Sequence, residues 1–244
     1  MMLKVLKPIE ERYNSLTNTG NFKAIYTDRR VRDTVIDLLE SLIGVVQGCH
    51  VTTVHQIFNW LKPVMASLVH LLGLYHCYSQ VVELILELYC ETAKRILCYF
   101  TPSESRILYE SSLNIIKTYA GHQVGRRTTV NDKESEEEAY RDLLLLMELL
   151  TNLLSKDFID LSPTTAEEAN GDENVTAADV CLFGLNIIMP LMSAELLKFP
   201  SLCLQYFKTI TFVCEIYPEK ITSLNPELQK NLGASLELGL TSVG

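Results

Sequence analysis

The sequence predicts an all-α fold, a superhelix of stacked antiparallel helix hairpins, on three observations. Apolar residues recur at the helical period through most of the 244-residue chain. One stretch is apolar on more than one flank. A short pattern also recurs between two of the predicted hairpins. In that stretch Val82, Ile85, Leu86, Tyr89, Ala93, Ile96, Leu97 and Phe100 form one stripe, with Glu87, Glu91 and Lys94 opposite. Leu84 and Leu88 lie off the stripe, so this helix is expected to touch neighbours on two sides, as a stacked layer requires.

Residues 1–26 are mixed in character and read as a weakly ordered N-terminal segment with a short helix near Ile9 to Leu16. Residues 27–244 read as helical repeats. A lone helix near 28–47 carries Val31, Val35, Leu38, Leu42 and Val46. Three hairpins follow, pairing 53–74 with 79–100, 103–120 with 137–158, and 177–197 with 200–216. A last helix begins at 226. Thr101-Pro102-Ser103-Glu104 combines an N-cap, a proline at the first helical position and an acid able to reach back to the cap N–H. That helix is expected to end near Gly121. Thr176-Ala177-Ala178-Asp179 repeats the box. Phe199-Pro200 and Asn225-Pro226 read as starts, Tyr217-Pro218 as a stop.

Asn59-Trp60-Leu61-Lys62-Pro63-Val64-Met65 is matched by Asn186-Ile187-Ile188-Met189-Pro190-Leu191-Met192. Each copy leads into a second helix, containing Leu88-Tyr89-Cys90-Glu91 and Phe212-Val213-Cys214-Glu215. The interior prolines are expected to bend their helices. This is the organisation of a HEAT-like α-solenoid. Polar stretches at about 124–136 and 161–175 break the rhythm and read as solvated loops, since neither can bury enough apolar area to offset its ordering. The last helix carries Leu228, Leu232, Leu236 and Leu240 without a visible cap, so the chain is expected to be a segment of something longer.

Net charge is −9, from 21 basic and 30 acidic residues. Nucleic-acid binding calls for concentrated Lys and Arg. Asp28-Arg29-Arg30-Val31-Arg32 is diluted by Asp33 and Asp37, so no nucleic-acid partner is expected, whereas basic protein partners are permitted. Seven cysteines, an odd number, lie mostly in or beside apolar helical runs. They read as small buried thiols in a reducing compartment, with no secretory leader at Met1 to Pro8. Membrane insertion is not expected, because runs such as Leu143 to Met147 soon meet an acid, here Glu148, well short of about 20 residues.

No site residues emerge: catalytic, cofactor and metal sets are read as none, and the partner-binding residues as unknown. His50, His55, His70, His76 and His122 include two pairings with Cys49 and Cys77, but neither has zinc-ligand spacing. Cys90 and Cys98 sit in a helix without a histidine base and read as packing. Val124-Gly125-Arg126-Arg127 is too bare to cradle phosphate, and Glu136-Glu137-Glu138 reads as acids at a helix start. Tyr75-His76-Cys77-Tyr78 is expected to close a hairpin turn.

Three stretches carry a resemblance. They are Val81 to Arg95 with Tyr99 to Arg106, Leu153 to Asp160, and Leu197 to Pro200 with Phe212 to Ile221. Across about Asp28 to Gly239 the chain resembles an interior segment of the exportin-4 family, nuclear transport receptors of the importin-beta (karyopherin) superfamily. The resemblance implies a HEAT superhelix that shuttles between nucleus and cytoplasm. It implies binding of the small GTPase Ran in its GTP form, of protein cargo, some of it basic, and of nuclear pore proteins, with no cofactor. The family's amino-terminal Ran-binding repeats have no counterpart here, and no family binding residue transfers to a numbered position. The alternative is a HEAT-repeat scaffold without Ran-dependent transport.

Overall fold

The computed structural model describes residues 3–17, 22–123, 140–159, 175–193, 195–222 and 224–241. In chain order the helices are α1 (Leu3–Thr17), α2 (Phe22–Ile25), α3 (Arg29–Gln47), α4 (Val54–Tyr75), α5 (Ser79–Ile96) and α6 (Pro102–Gln123). Then come α7 (Arg141–Ile159), α8 (Ala177–Ile188), α9 (Pro200–Ile216), α10 (Pro218–Thr222) and α11 (Pro226–Thr241). No strand occurs among the described residues. The polar stretches at 124–136 and 161–175 lie outside them, Val175 excepted.

Two layers alternate along the chain. Helices α3, α5, α7 and α9 lie side by side in one, and α4, α6 and α8 in the other. Helix α5 is buried on both flanks, against α3 and α7, as Leu84 and Leu88 led us to expect. The two copies of the internal pattern fall in equivalent places: Asn59 in α4 and Asn186 in α8 share one layer, Cys90 in α5 and Cys214 in α9 the other. Their prolines differ in effect. Pro63 is accommodated inside a continuous α4, whereas at Pro190 the α-helix gives way to a 3-10 turn, Met189–Leu191. A proline lacks the N–H and crowds the carbonyl four residues back. The helix expected to reach 197 therefore stops at Ile188, and a second 3-10 turn, Leu196–Lys198, precedes α9.

The first layer helix is not alone. Helix α1 packs on α3 and α4 through Leu6 and Tyr13, with Ile9 and Leu16 partly covered. The Tyr13 hydroxyl bonds the Ser67 hydroxyl, and Trp60 Nε1 donates to Glu10 at 3.2 Å. The stripe is only four residues wide among Glu10, Glu11, Arg12, Asn14 and Ser15, which is why sequence shows so little of it. Helix α4 is long and apolar enough, over Val51–Tyr75, to pass a length-and-composition test for crossing a membrane. Its side chains Phe58, Leu61, Met65, Leu68 and Leu72 are buried in the stack.

Helix ends follow their capping chemistry. Asp28 accepts from the Arg30 amide at 2.8 Å. Thr101 and Glu104 exchange bonds as a reciprocal box, as do Thr176 and Asp179. Asn225 Oδ1 accepts from the Leu228 amide at 2.8 Å. Such caps contribute roughly 0.5–2 kcal/mol each.

Where α8 meets α7, Gly184 permits the approach: a Cβ there would lie 2.6 Å from Leu150 Cδ1. Leu150 is fully buried and has little room to retreat. Gly184→Val should therefore destabilise the chain by roughly 1–3 kcal/mol, outweighing the gain of about 0.5 kcal/mol in helix propensity. Thermal melting should show a fall of several degrees. Adding Leu150→Ala should cost less in this background than in the wild type, and strict additivity would contradict the contact.

Candidate interaction surface

The outward side of α4 carries an open groove of about 580 Å³ lined by Ala66, Val69, His70, Gly73 and Leu74. These positions share one face of the helix. The small residues Ala66 and Gly73 leave the furrow, and Val69 and Leu74 make it apolar. His70 is its single titratable lining group. Such a groove can receive an apolar side chain; it lacks the converging polar groups that a reaction centre needs.

The other layer presents a charged seam between α5 and α7. Arg141 on α7 lies 3.7 Å from Glu83 and 3.4 Å from Glu87 on α5. Glu91 holds Arg95 in a close contact and lies 3.7 Å from Lys94. Half-exposed pairs of this kind contribute roughly 0–1 kcal/mol each. Below them Cys90 is buried and its thiol donates to the Leu145 carbonyl at 3.0 Å. Burial first, then the carboxylates of Glu148, Glu91 and Glu87, push that thiol well above the usual cysteine range. A thiol held protonated is no nucleophile at neutral pH.

The other residues singled out in the sequence are dispersed. His50 caps the 3-10 turn Val51–Thr53, beside Cys49. The His76 ring stacks on His122, with centroids 4.3 Å apart. Tyr75 and Tyr78 close the α4–α5 turn, with Arg32 5.1 Å above the Tyr78 ring. Cys181 is buried and donates to the Leu150 carbonyl. Cys77 and Cys98, expected to be buried, are exposed: one lies just past the end of α4, the other in the 3-10 turn Leu97–Tyr99. Among the described residues no three His, Cys, Asp or Glu side chains form a metal-binding group. Gly125 to Arg127 and Glu136 to Glu138 lie outside the described residues.

Sequence reasoning missed the links between helices. Glu104, recognised as a capping acid, also lies 2.9 Å from His55 Nδ1 on α4. Lys156 on α7 donates to the Phe100 carbonyl and the Ser105 hydroxyl, each at 2.7 Å. Partners some fifty positions apart leave no local signal. Burial opposes the charge of Glu104, but the Thr101 amide, the His55 ring and the Thr101 hydroxyl outweigh it and hold the carboxyl below its ordinary value.

Fold and surfaces together define the class: an α-solenoid of helical repeats that presents extended faces. A sequence profile described as Exportin-4 matches residues 1–242. Exportin-4 of Dictyostelium discoideum is 22% identical over 225 residues, covering 86% of this chain and 18% of that relative. The chain belongs to the exportin-4 family, and it spans only that 18% of the relative's length. The match takes in α1, beyond the Asp28 boundary expected from the resemblance. Kinship is thus with nuclear transport receptors rather than with enzymes.

A carboxyl whose folded value is depressed stabilises the fold above its unfolded pKa, and that contribution is lost as pH falls through the folded value. Thermal melts between pH 6 and 3 should show the wild type losing stability as pH drops below the ordinary glutamate value of 4.5. Glu104→Gln should be weaker at pH 6 by roughly 0.5–2 kcal/mol, with a flatter dependence on acid. A parallel pair of curves would remove Glu104 from that role.

Proposed function

We propose that this chain is a segment of a nuclear export receptor that carries protein cargo through the nuclear pore together with Ran in its GTP form. The family match over residues 1–242 carries this reading. The layered stack supports it mechanically. Small rotations between adjacent hairpins sum along a solenoid, so a partner can be wrapped or released at low cost per interface. The chemical energy belongs to the GTPase, and the chain supplies surface and compliance. Contacts with nuclear pore proteins and shuttling between nucleus and cytoplasm belong to the same proposal. The acidic balance, −9 overall, fits a basic cargo through steering rather than through strong individual ion pairs.

The full-length parent provides the test, because this chain spans a minor part of its relative. Immobilised parent should retain a basic cargo with GTP-loaded Ran and lose it with GDP-loaded Ran. Retention indifferent to the nucleotide would favour a HEAT-repeat scaffold instead.

A further inference from the structure

Tyr75, the last residue of α4, is fully buried. Three rings surround it: Phe22 of α2 at 6.3 Å, Tyr26 edge-on at 5.5 Å and Tyr78 at 5.7 Å. Its hydroxyl has no hydrogen-bond partner. A buried unpaired hydroxyl destabilises the closed arrangement, because in water it would be bonded. The residues closing over it, Phe22 to Thr27, are held by ring contacts and by the burial of Phe22. Among the described residues no side-chain hydrogen bond or ion pair ties them to the rest of the stack. Aromatic contacts and the penalty for the orphaned hydroxyl are of the same order. On the far side Arg32 lies over Tyr78, so that wall is braced independently.

We infer that Phe22 to Thr27 form a cover that opens ahead of the rest of the stack, its closure opposed by the unsatisfied Tyr75 hydroxyl. Opening hydrates that hydroxyl and exposes the Tyr75 and Tyr78 rings beside Arg32, while α3 stays anchored at its Asp28 cap. Low-stability elements of this kind are where local opening concentrates. The device does not depend on Ran or cargo.

The cover opens by unwinding, and hydrogen exchange at the Tyr26 and Asp28 amides reports this, since they bond the Phe22 and Ile25 carbonyls within it, each at 2.9 Å. In the 244-residue chain, Tyr75→Phe keeps the ring and removes the hydroxyl, and should slow exchange there by about tenfold. Phe22→Ala should speed it by a similar factor and leave the α5 amides unchanged. Unchanged or faster exchange in Tyr75→Phe would show that the hydroxyl is satisfied and the cover unopposed. Acceleration of the α5 amides in step with the cover in Phe22→Ala would show that it does not open alone, and would overturn the proposal equally.

Discussion

Helix α5 lies between α3 and α7 with Val81, Val82, Ile85, Leu86, Leu88 and Tyr89 all buried, and this two-flank burial is the constraint on which the other layers rest. A helix covered on one side can end a fold; one covered on both must pass the stack onward. Burying a large apolar side chain contributes roughly 1.5–3 kcal/mol. The ion pairs of the same helix, each with its cation in contact with water, are worth a fraction of that. Apolar contact therefore decides the arrangement, and the charges decide what the surface can attract.

Polar groups enter the core where they can tie one helix to the next. The Tyr89 hydroxyl donates to the Met65 carbonyl of α4 at 3.1 Å and lies 2.6 Å from Ser111 of α6, so one side chain joins two helices of the other layer. The Thr151 and Thr209 hydroxyls are 2.9 Å apart and Gln205 Nε2 donates to Thr151 at 2.9 Å, joining α7 to α9. Tyr75 and Ser112 stand apart from this pattern, each with a buried hydroxyl lacking a partner. Satisfied cross-links fix the register of neighbouring helices, and the orphaned groups mark where closure is weakest.

Legibility in the sequence followed the range of the interactions. The α5 stripe, the Thr101 and Thr176 boxes and the starts at Pro200 and Pro226 are encoded within a few residues, and each falls where expected. Helix α1 was faint because its buried stripe runs among exposed charges. Pro190 was read as bending a helix that it ends, because sequence does not show whether the surroundings reward continuation beyond a proline. The exposure of Cys77 and Cys98 was missed because the first lies just past the end of α4 and the second in a 3-10 turn, where the α-helical period no longer sets which side faces the core. The surfaces were illegible for a plainer reason: period identifies the face of a helix, while a groove such as that at Ala66 to Leu74 depends on which neighbours leave that face open.

Such sharing of flanks means that strain entering one hairpin reaches the next through the same contacts. Native-state hydrogen exchange on a Leu88→Ala chain tests this most directly. Leu88 is fully buried in the middle layer helix. The account predicts that protection falls together in α3, α5 and α7. A loss confined to α5, with α3 and α7 as protected as before, would contradict it.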